Sequence, residues 1–231
     1  HILLTRPIED CSNLIVRFKE LGHTVSHLPV IKIKKLEHNQ IEFNDYTAFI
    51  FTSTNSIKNL NLENINKTIK CFCVGTSTEK FARKVGFQNV ISSDGNVRAL
   101  KELILQNHDK KDGKLLYISG EFISYNLDKD ILKEGYDISR LINYSVDHND
   151  EIKAEIIEEL KKNIPDIVYI YSENSAKSFL NIVKNYHLID SWMNTNLMCI
   201  GEKTSSVLNE LKWKKIFLFS PGEEEFLLYK V

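Results

Sequence analysis

The sequence is short of the features that announce common chemistries. Its 231 residues include only four prolines, nine glycines, four cysteines and five arginines, against 25 lysines. No apolar run approaches the roughly 20 residues that span a bilayer, so no membrane partner is expected. The formal charge of −1 excludes a strongly basic nucleic-acid binder and an acidic tail. Charge is +2 over residues 34–145 and −3 over the rest, so neither part announces a polyanion. No basic start leads into an apolar core, which argues against a secretory leader. The chain begins at His1, and a few leading residues are expected to be missing.

Other absences remove whole reaction classes. Cys11, Cys71, Cys73 and Cys199 form no C-x-x-C, and they read as buried, reduced thiols of a cytoplasmic protein. No His or second Cys pair stands at ligand spacing and no H-E-x-x-H occurs, so no metal site is expected. No G-x-G-x-x-G, P-loop or G-x-S-x-G opens a helix, so no nucleotide cofactor or serine nucleophile is expected either.

What is present is alternation. Short apolar runs occur at Ile2–Leu4, Val25–Leu28, Ala48–Phe51, Cys71–Val74, Leu115–Ile118, Val168–Tyr171 and Leu197–Ile200. Helical spacing lies between them, as in Ile8, Cys11, Leu14, Ile15, Phe18 and Leu21, with Gly22 suited to the C-terminal end. Runs apolar throughout fit parallel strands covered on both faces, and the βαβα order predicts α/β sheets with right-handed crossovers.

The chain also repeats itself. "FTSTNS" (51–56) and "IYSENS" (170–175) place Ser-x-Asn-Ser 119 positions apart. "CFCVGTSTEKFARKVGFQNV" (71–90) lies over "LMCIGEKTSSVLNELKWKKI" (197–216), matching Gly75 to Gly201, Thr78 to Thr204 and Phe87 to Trp213. Further on, Gly95 matches Gly222 and Leu100 matches Leu227. "LLTRPIEDCSNLIVRFKELGHTVSHL" (3–28) lies over "LYISGEFISYNLDKDILKEGYDISRL" (116–141). The second copy lacks its last unit, which stands at the N-terminus instead. The permuted order predicts one continuous domain at 36–142 and one assembled from 1–33 and 147–231. "VIKIKKL" (30–36) and "LINYSV" (141–146) would cross between domains as a two-stranded ribbon and hinge.

Six small polar motifs fall where strands should end: Thr5-Arg6-Pro7, Thr52–Ser56, Gly75–Thr78, Ser119-Gly120-Glu121, Ser172–Ser175 and Gly201–Thr204. In open α/β sheets ligands gather at that edge. Each motif is read as opening a helix. Plain N-capping explains any one of them. Together they would present backbone N–H groups suited to anions. Arg6 is the arginine placed at a strand end, with a surface ion pair as its plainer role. Glu223–Glu225 reads as a helix first turn, 151–162 as an amphipathic helix and 109–114 as a loop.

"ILLTRPIED", "FTSTNS", "VGTSTEKFARKVGF", "LLYISGE", "INYSV", "YSENSAKSF" and "IGEKTSSVL" together resemble the uroporphyrinogen-III synthase family, in that family's order and over nearly the whole chain. The resemblance implies two similar flavodoxin-like parallel-sheet α/β domains joined by a two-stranded β ribbon, one of them discontinuous, with the site between them. It implies an enzyme that cyclises hydroxymethylbilane, a linear tetrapyrrole, to uroporphyrinogen III with inversion of ring D and loss of water. Neither metal nor organic cofactor is implied. Tyr144 matches the tyrosine near the return linker and becomes the candidate catalytic donor. Thr78 and Thr204 match the two Gly-x-x-Thr turns, and Ser53 and Ser172 the strand-end serines. Arg6, Thr52, Asn55, Ser119, Gly120, Asn174 and Ser175 complete the candidate substrate-binding set. The family often carries other residues at Asn55 and Glu173, and Lys203 stands where it has Pro or a small residue. A monomer without nucleic-acid partners is expected. A two-lobed small-anion-binding or sensor protein, or a duplicated scaffold with a dead cleft, is the competing class.

Overall fold

The computed structural model describes every residue except 40, 95, 150, 151, 221, 222, 226, 227 and 229–231. From the N-terminus the chain forms β1 (Ile2–Leu4), α1 (Ile8–Glu20), β2 (Val25–His27), β3 (Ile31–Lys35) and β4 (Tyr46–Phe51). It continues through α2 (Thr54–Lys58), β5 (Lys70–Val74), α3 (Gly75–Lys84), β6 (Asn89–Ser93), α4 (Val97–Asn107) and β7 (Lys114–Gly120). Then come α5 (Leu127–Lys133), β8 (Ile138–His148), α6 (Ala154–Lys162), β9 (Ile167–Ile170) and α7 (Glu173–Asn185). The last elements are β10 (Asn196–Cys199), α8 (Gly201–Val207) and β11 (Lys215–Leu218).

These elements fall into two units, one of His1–Lys32 with Asp147–Val231, the other of Ile33–Val146. In the first, the sheet order is β11-β10-β9-β1-β2. Ile2–Leu4 pairs with Ile167–Tyr169 on one side and Val25–His27 on the other, all parallel. In the second, the order is β3-β8-β7-β4-β5-β6. Read from the other end, β6-β5-β4-β7-β8 follows the same path as β11-β10-β9-β1-β2. The extra strand β3 lies along β8. Leu36 N–H bonds Asn143 at 3.0 Å and Asn149 N–H bonds Val30 at 2.9 Å, an antiparallel sense. The chain passes from one unit to the other inside these two strands.

Each sheet is covered on both faces, which is why its strands are apolar throughout. Along β4, Phe49 and Phe51 join Cys71, Cys73, Ile57 and Phe87 on one face. Ala48 and Ile50 join Phe72, Leu100, Ile104 and Leu127 on the other. In the first unit, Leu3, Val168 and Ile170 pack against Phe179, Val183 and Trp192. Ile2, Leu4 and Tyr169 pack against Cys11 and Phe18 of α1. That helix carries Glu9 and Asp10 in its first turn and Arg17 and Lys19 in its last, signs that complement the helix dipole. Gly75 and Gly201, matched in the repeat, each turn the chain from strand to helix with φ of +70° and +73°, values costly for any residue with a Cβ.

Three local expectations are corrected. Ser119-Gly120-Glu121 does not open a helix: Ser119 and Gly120 still belong to β7, and α5 begins only at Leu127. Glu223–Glu225 is not a helix first turn; Glu224 and Glu225 lie in a turn, Arg17 pairs with Glu225 at 3.1 Å, and the Tyr169 hydroxyl bonds the Glu224 carbonyl at 2.7 Å. The 109–114 segment is a short 3-10 turn closed by a capping box of Asp109 and Asp112. The matched Gly95, Gly222 and Leu227 lie outside the described residues, as do Pro221 and positions 150 and 151.

All four cysteines are free and buried. Burial pushes the Cys11 and Cys199 thiols up to about 11 and the Cys73 thiol up to about 12. A thiol reacts as its thiolate. In the folded protein at pH 8 none should react with an aromatic disulfide reagent on the minute scale, and all four should react in denaturant. A thiol titrating quickly in the native protein would contradict this packing.

Candidate active site

In the continuous unit Thr52, Ser53 and Asn55 follow the carboxyl end of β4, Ser119 and Gly120 end β7, and Tyr144 lies inside β8. The Ser53 hydroxyl caps α2, accepting from Asn55 N–H at 3.2 Å, and the Ser56 hydroxyl returns to the Ser53 carbonyl at 2.6 Å. Asn143 of β8 is fully buried and donates to the Ser56 carbonyl at 2.7 Å. The loop is thereby fixed to itself and to β8. Thr52 Oγ1 lies 3.1 Å from the hydroxyl of Tyr117, a buried residue of β7.

Tyr144 stands opposite Gly120 in the β7–β8 register, where the pairing shifts by one residue. The close approach needs glycine. A Cβ on Gly120 would lie 2.7 Å from Tyr144 Cζ and 3.0 Å from its hydroxyl. The ring is nearly buried, with 8% of the residue exposed. Burial pushes the phenol above its ordinary range. Hydrogen bonds from the Ser53 side chain and the Gly120 backbone, and the charge of Arg140, pull it back in part. The net effect keeps the phenol protonated above its ordinary range.

Arg140 organises the same edge. Nε donates to Ser119 Oγ at 2.8 Å, and Nη2 donates to the carbonyls of Gly120 at 2.7 Å and Glu121 at 2.9 Å. The Glu121 N–H closes the corner on the Tyr144 carbonyl at 2.9 Å. Arg6 is therefore not alone at a strand end. Arg140 starts further back on β8, and its long side chain reaches forward. The buried Ser119 hydroxyl is occupied by Arg140 and by the Gly120 carbonyl at 3.1 Å. Thr78 is buried in the first turn of α3 and shares no hydrogen bond with this group.

In the discontinuous unit the matched edge is built differently. The buried Thr5 hydroxyl bonds the Tyr169 carbonyl at 2.6 Å. The Arg6 guanidinium stacks over the Tyr171 ring at 4.6 Å and leans towards Asp10 at 3.8 Å. Ser172 caps α7 by accepting from Ser175 N–H at 3.1 Å, with the two hydroxyls 2.9 Å apart. Ser175 and Thr204 are buried, and Asn174 is half-buried. Glu173 pairs with Lys177 at 2.6 Å, which pulls its carboxyl down. Tyr171, at the position matched to Thr52, has a buried hydroxyl without a hydrogen-bond partner among the described residues.

Tyr117, Arg140, Asn143 and Tyr171 were not picked out from sequence. Tyr117 and Tyr171 sit in apolar runs that read as core. Asn143 did stand beside Tyr144 in "INYSV", the one available signal. A cavity of about 240 Å³ lined by Phe43, Tyr46, Phe49 and Ile69 touches none of the candidate residues. Among the described residues no group of three His, Cys, Asp or Glu side chains could hold a metal, and no helix is long and apolar enough to cross a membrane.

Residues 12–220 match the family model described as uroporphyrinogen-III synthase HemD. A solved uroporphyrinogen-III synthetase from Helicobacter pylori is similar over 100% of this chain and 99% of its own, at 18% identity and a TM-score of 0.68. A mutant uroporphyrinogen III synthase from Thermus thermophilus is similar over 99% of this chain and 97% of its own, at 14% identity and a TM-score of 0.56. At these identities the likeness is one of fold. Among curated protein sequences none matches.

Gly120→Ala should cost about 1–3 kcal/mol, because the added methyl meets the Tyr144 ring. Denaturant unfolding checks this. In a Tyr144→Ala background the same change should cost clearly less. An equal cost in both backgrounds would show that the ring is not what excludes the side chain.

Proposed function

The chain belongs to the uroporphyrinogen-III synthase family, lyases of haem biosynthesis, and from that premise we propose that it cyclises hydroxymethylbilane to uroporphyrinogen III with Tyr144 as the proton donor. The observation that carries the assignment of Tyr144 is its nearly buried phenol, packed against Gly120 at the carboxyl end of β7.

The chemistry asks little of side chains. The linear tetrapyrrole loses its hydroxyl as water and leaves a reactive azafulvene. Left alone, that species closes to the symmetric isomer I. Isomer III requires attack from the substituted carbon of ring D through a spiro intermediate. Most of the task is holding one end of the chain against the other, which is catalysis by orientation. A donor at the departing hydroxyl supplies the remainder. Tyr144 keeps its proton through neutral pH because burial raises its pKa.

Within each unit, the small polar groups at the strand ends are proposed as the set that meets substrate carboxylates. The half-buried Asn55 and Asn174 amides and the Arg6 guanidinium are proposed to meet them directly. Ser119 and Ser175, buried and bonded within the protein, are proposed to hold the loops that do so, as Ser53, Ser172, Thr52, Thr78 and Thr204 hold the turns. The reading takes a linear tetrapyrrole as its small-molecule partner and needs no cofactor. It also takes the protein as a cytoplasmic monomer without nucleic acid, which the buried thiols and near-neutral charge support. The family match does not favour the anion-binding or sensor alternative.

The test is to supply freshly generated hydroxymethylbilane and separate the isomers. Wild-type protein should form isomer III. Tyr144→Phe, once shown to be folded, should lose about 10²–10⁴ in kcat while its enzymic product stays isomer III. Full activity in Tyr144→Phe would remove the hydroxyl from the mechanism. Because the phenol is raised above its ordinary range, its deprotonation should cause no loss of rate between pH 7 and about 9.

A further inference from the structure

Arg140 is tied down on one side only. Its Nε and Nη2 hold Ser119, Gly120 and Glu121, but Nη1 makes no hydrogen bond among the described residues, and no carboxylate there pairs with the guanidinium. The contrast with other arginines is direct. Arg6 leans on Asp10 at 3.8 Å, Arg17 on Glu225 at 3.1 Å and Arg83 on Glu79 at 3.0 Å. A half-buried cation fixed by neutral carbonyls keeps its charge uncompensated. A second anomaly sits one peptide away. Phe122 follows the Glu121 carbonyl that Arg140 grips, and it is 80% exposed, the most exposed of the large apolar side chains described. Leaving a phenyl ring in water forgoes about 1.5–3 kcal/mol of burial. Here the ring's root is fixed by Arg140 and by the Glu121 bond to Tyr144.

We infer that Arg140 and Phe122 form a side-chain subsite for one pyrrole ring of the substrate, Phe122 taking the flat face and Arg140 Nη1 a carboxylate on that ring. A pyrrole bearing acidic substituents offers both surfaces at once, an apolar face and an anion at its rim. Aromatic faces pair favourably, and a guanidinium offers a charge-assisted bond to a carboxylate. The donors of Arg140 divide the work. Two nitrogens shape the corner that carries Tyr144, and the third meets the ligand. Arg140 is thus a positioning residue for Tyr144 and a binding residue in its own right. The inference rests on the functional reading above.

The experiment measures kcat and KM for isomer III formation in wild-type protein and in Arg140→Gln, Arg140→Lys, Phe122→Ala and Phe122→Tyr. Phe122→Ala should raise KM about 3- to 10-fold with little change in kcat, and Phe122→Tyr should restore it. Arg140→Gln should raise KM about 10- to 100-fold, with Arg140→Lys in between. The wild-type KM should rise with ionic strength, and that rise should be flattened in Arg140→Gln, because the lost contact is between charges. A purely structural arginine would lower kcat and stability and leave the salt response of KM unchanged. If Arg140→Gln does not fold, the lysine and phenylalanine variants still decide. Wild-type protein that makes only isomer I overturns the functional reading and the subsite together. Isomer III from wild-type protein, with wild-type KM and salt response in the variants, overturns the subsite alone.

Discussion

A parallel strand cannot turn straight back into its neighbour; it must cross over the sheet. Helices therefore cover both faces, and the strand interiors have no polar partner to offer. Ile2–Leu4, Ala48–Phe51, Val168–Ile170 and Leu197–Cys199 are each fully buried for that reason. Polar chemistry is driven to the strand ends. There many buried polar groups find partners nearby: Thr5 in the Tyr169 carbonyl, Ser56 in the Ser53 carbonyl, the Asn143 amide nitrogen in the Ser56 carbonyl, Ser175 in Ser172, while the Tyr171 hydroxyl and Asn143 Oδ1 find none among the described residues. Buried polar groups with good partners are costly to disturb. The edge that carries the candidate site is rigid because leaving any one of these bonds unmade would cost more than the bond itself contributes.

The two copies keep one device and change its chemistry. The alignment of 3–28 with 116–141 places His27 opposite Arg140 and Arg6 opposite Ser119. In the discontinuous unit, His27 Nε2 lies 2.7 Å from the Arg6 carbonyl. In the continuous unit, Arg140 holds Ser119, Gly120 and Glu121. Both ties run from the outer strand of the pair to the end of its neighbour. Such ends need a tie, because the ladder stops there and the last carbonyls lack strand partners. A ring nitrogen can satisfy one carbonyl. A guanidinium can satisfy three acceptors and still present a free donor, so at the matched position the continuous unit has a guanidinium where the other has an imidazole, and the other unit's guanidinium, Arg6, stands one strand over.

The fold was legible because two signals agreed. Uniformly apolar runs marked strands buried on both faces, and the matched glycines and threonines marked the turns after them. The permuted order of matches assigned 1–33 to one domain with 147–231, because the missing unit of the second copy stands at the N-terminus; in the structure β1 lies beside β9. Less of the site was legible. Ser53 and Ser172 were proposed from the repeated strand-end motif and Tyr144 from the family resemblance. Arg140 could not be named, because its working end lies several residues from its Cα. Tyr117 was hidden in an alternation that correctly marks its ring as core and says nothing of the hydroxyl that reaches Thr52. The break of pattern at Ser119–Glu121, which read as a helix start, was the trace of a strand carried on to meet Tyr144.

The proposed division of labour follows from what the repeat did not copy. Pro7 stands opposite Gly120, and the same alignment carried three residues further puts Ile31 opposite Tyr144. A proline has a Cβ, so it cannot admit a ring at that distance. A tyrosine packed on a strand-end glycine therefore exists once, whereas the Ser-x-Asn-Ser and Gly-x-x-Thr turns exist twice. The substrate has the same imbalance. It has one hydroxyl to lose and many carboxylates to hold. A duplicated scaffold suits the carboxylates, since each copy supplies an independent set of small polar groups. A single donor suits the hydroxyl, since only one hydroxyl leaves.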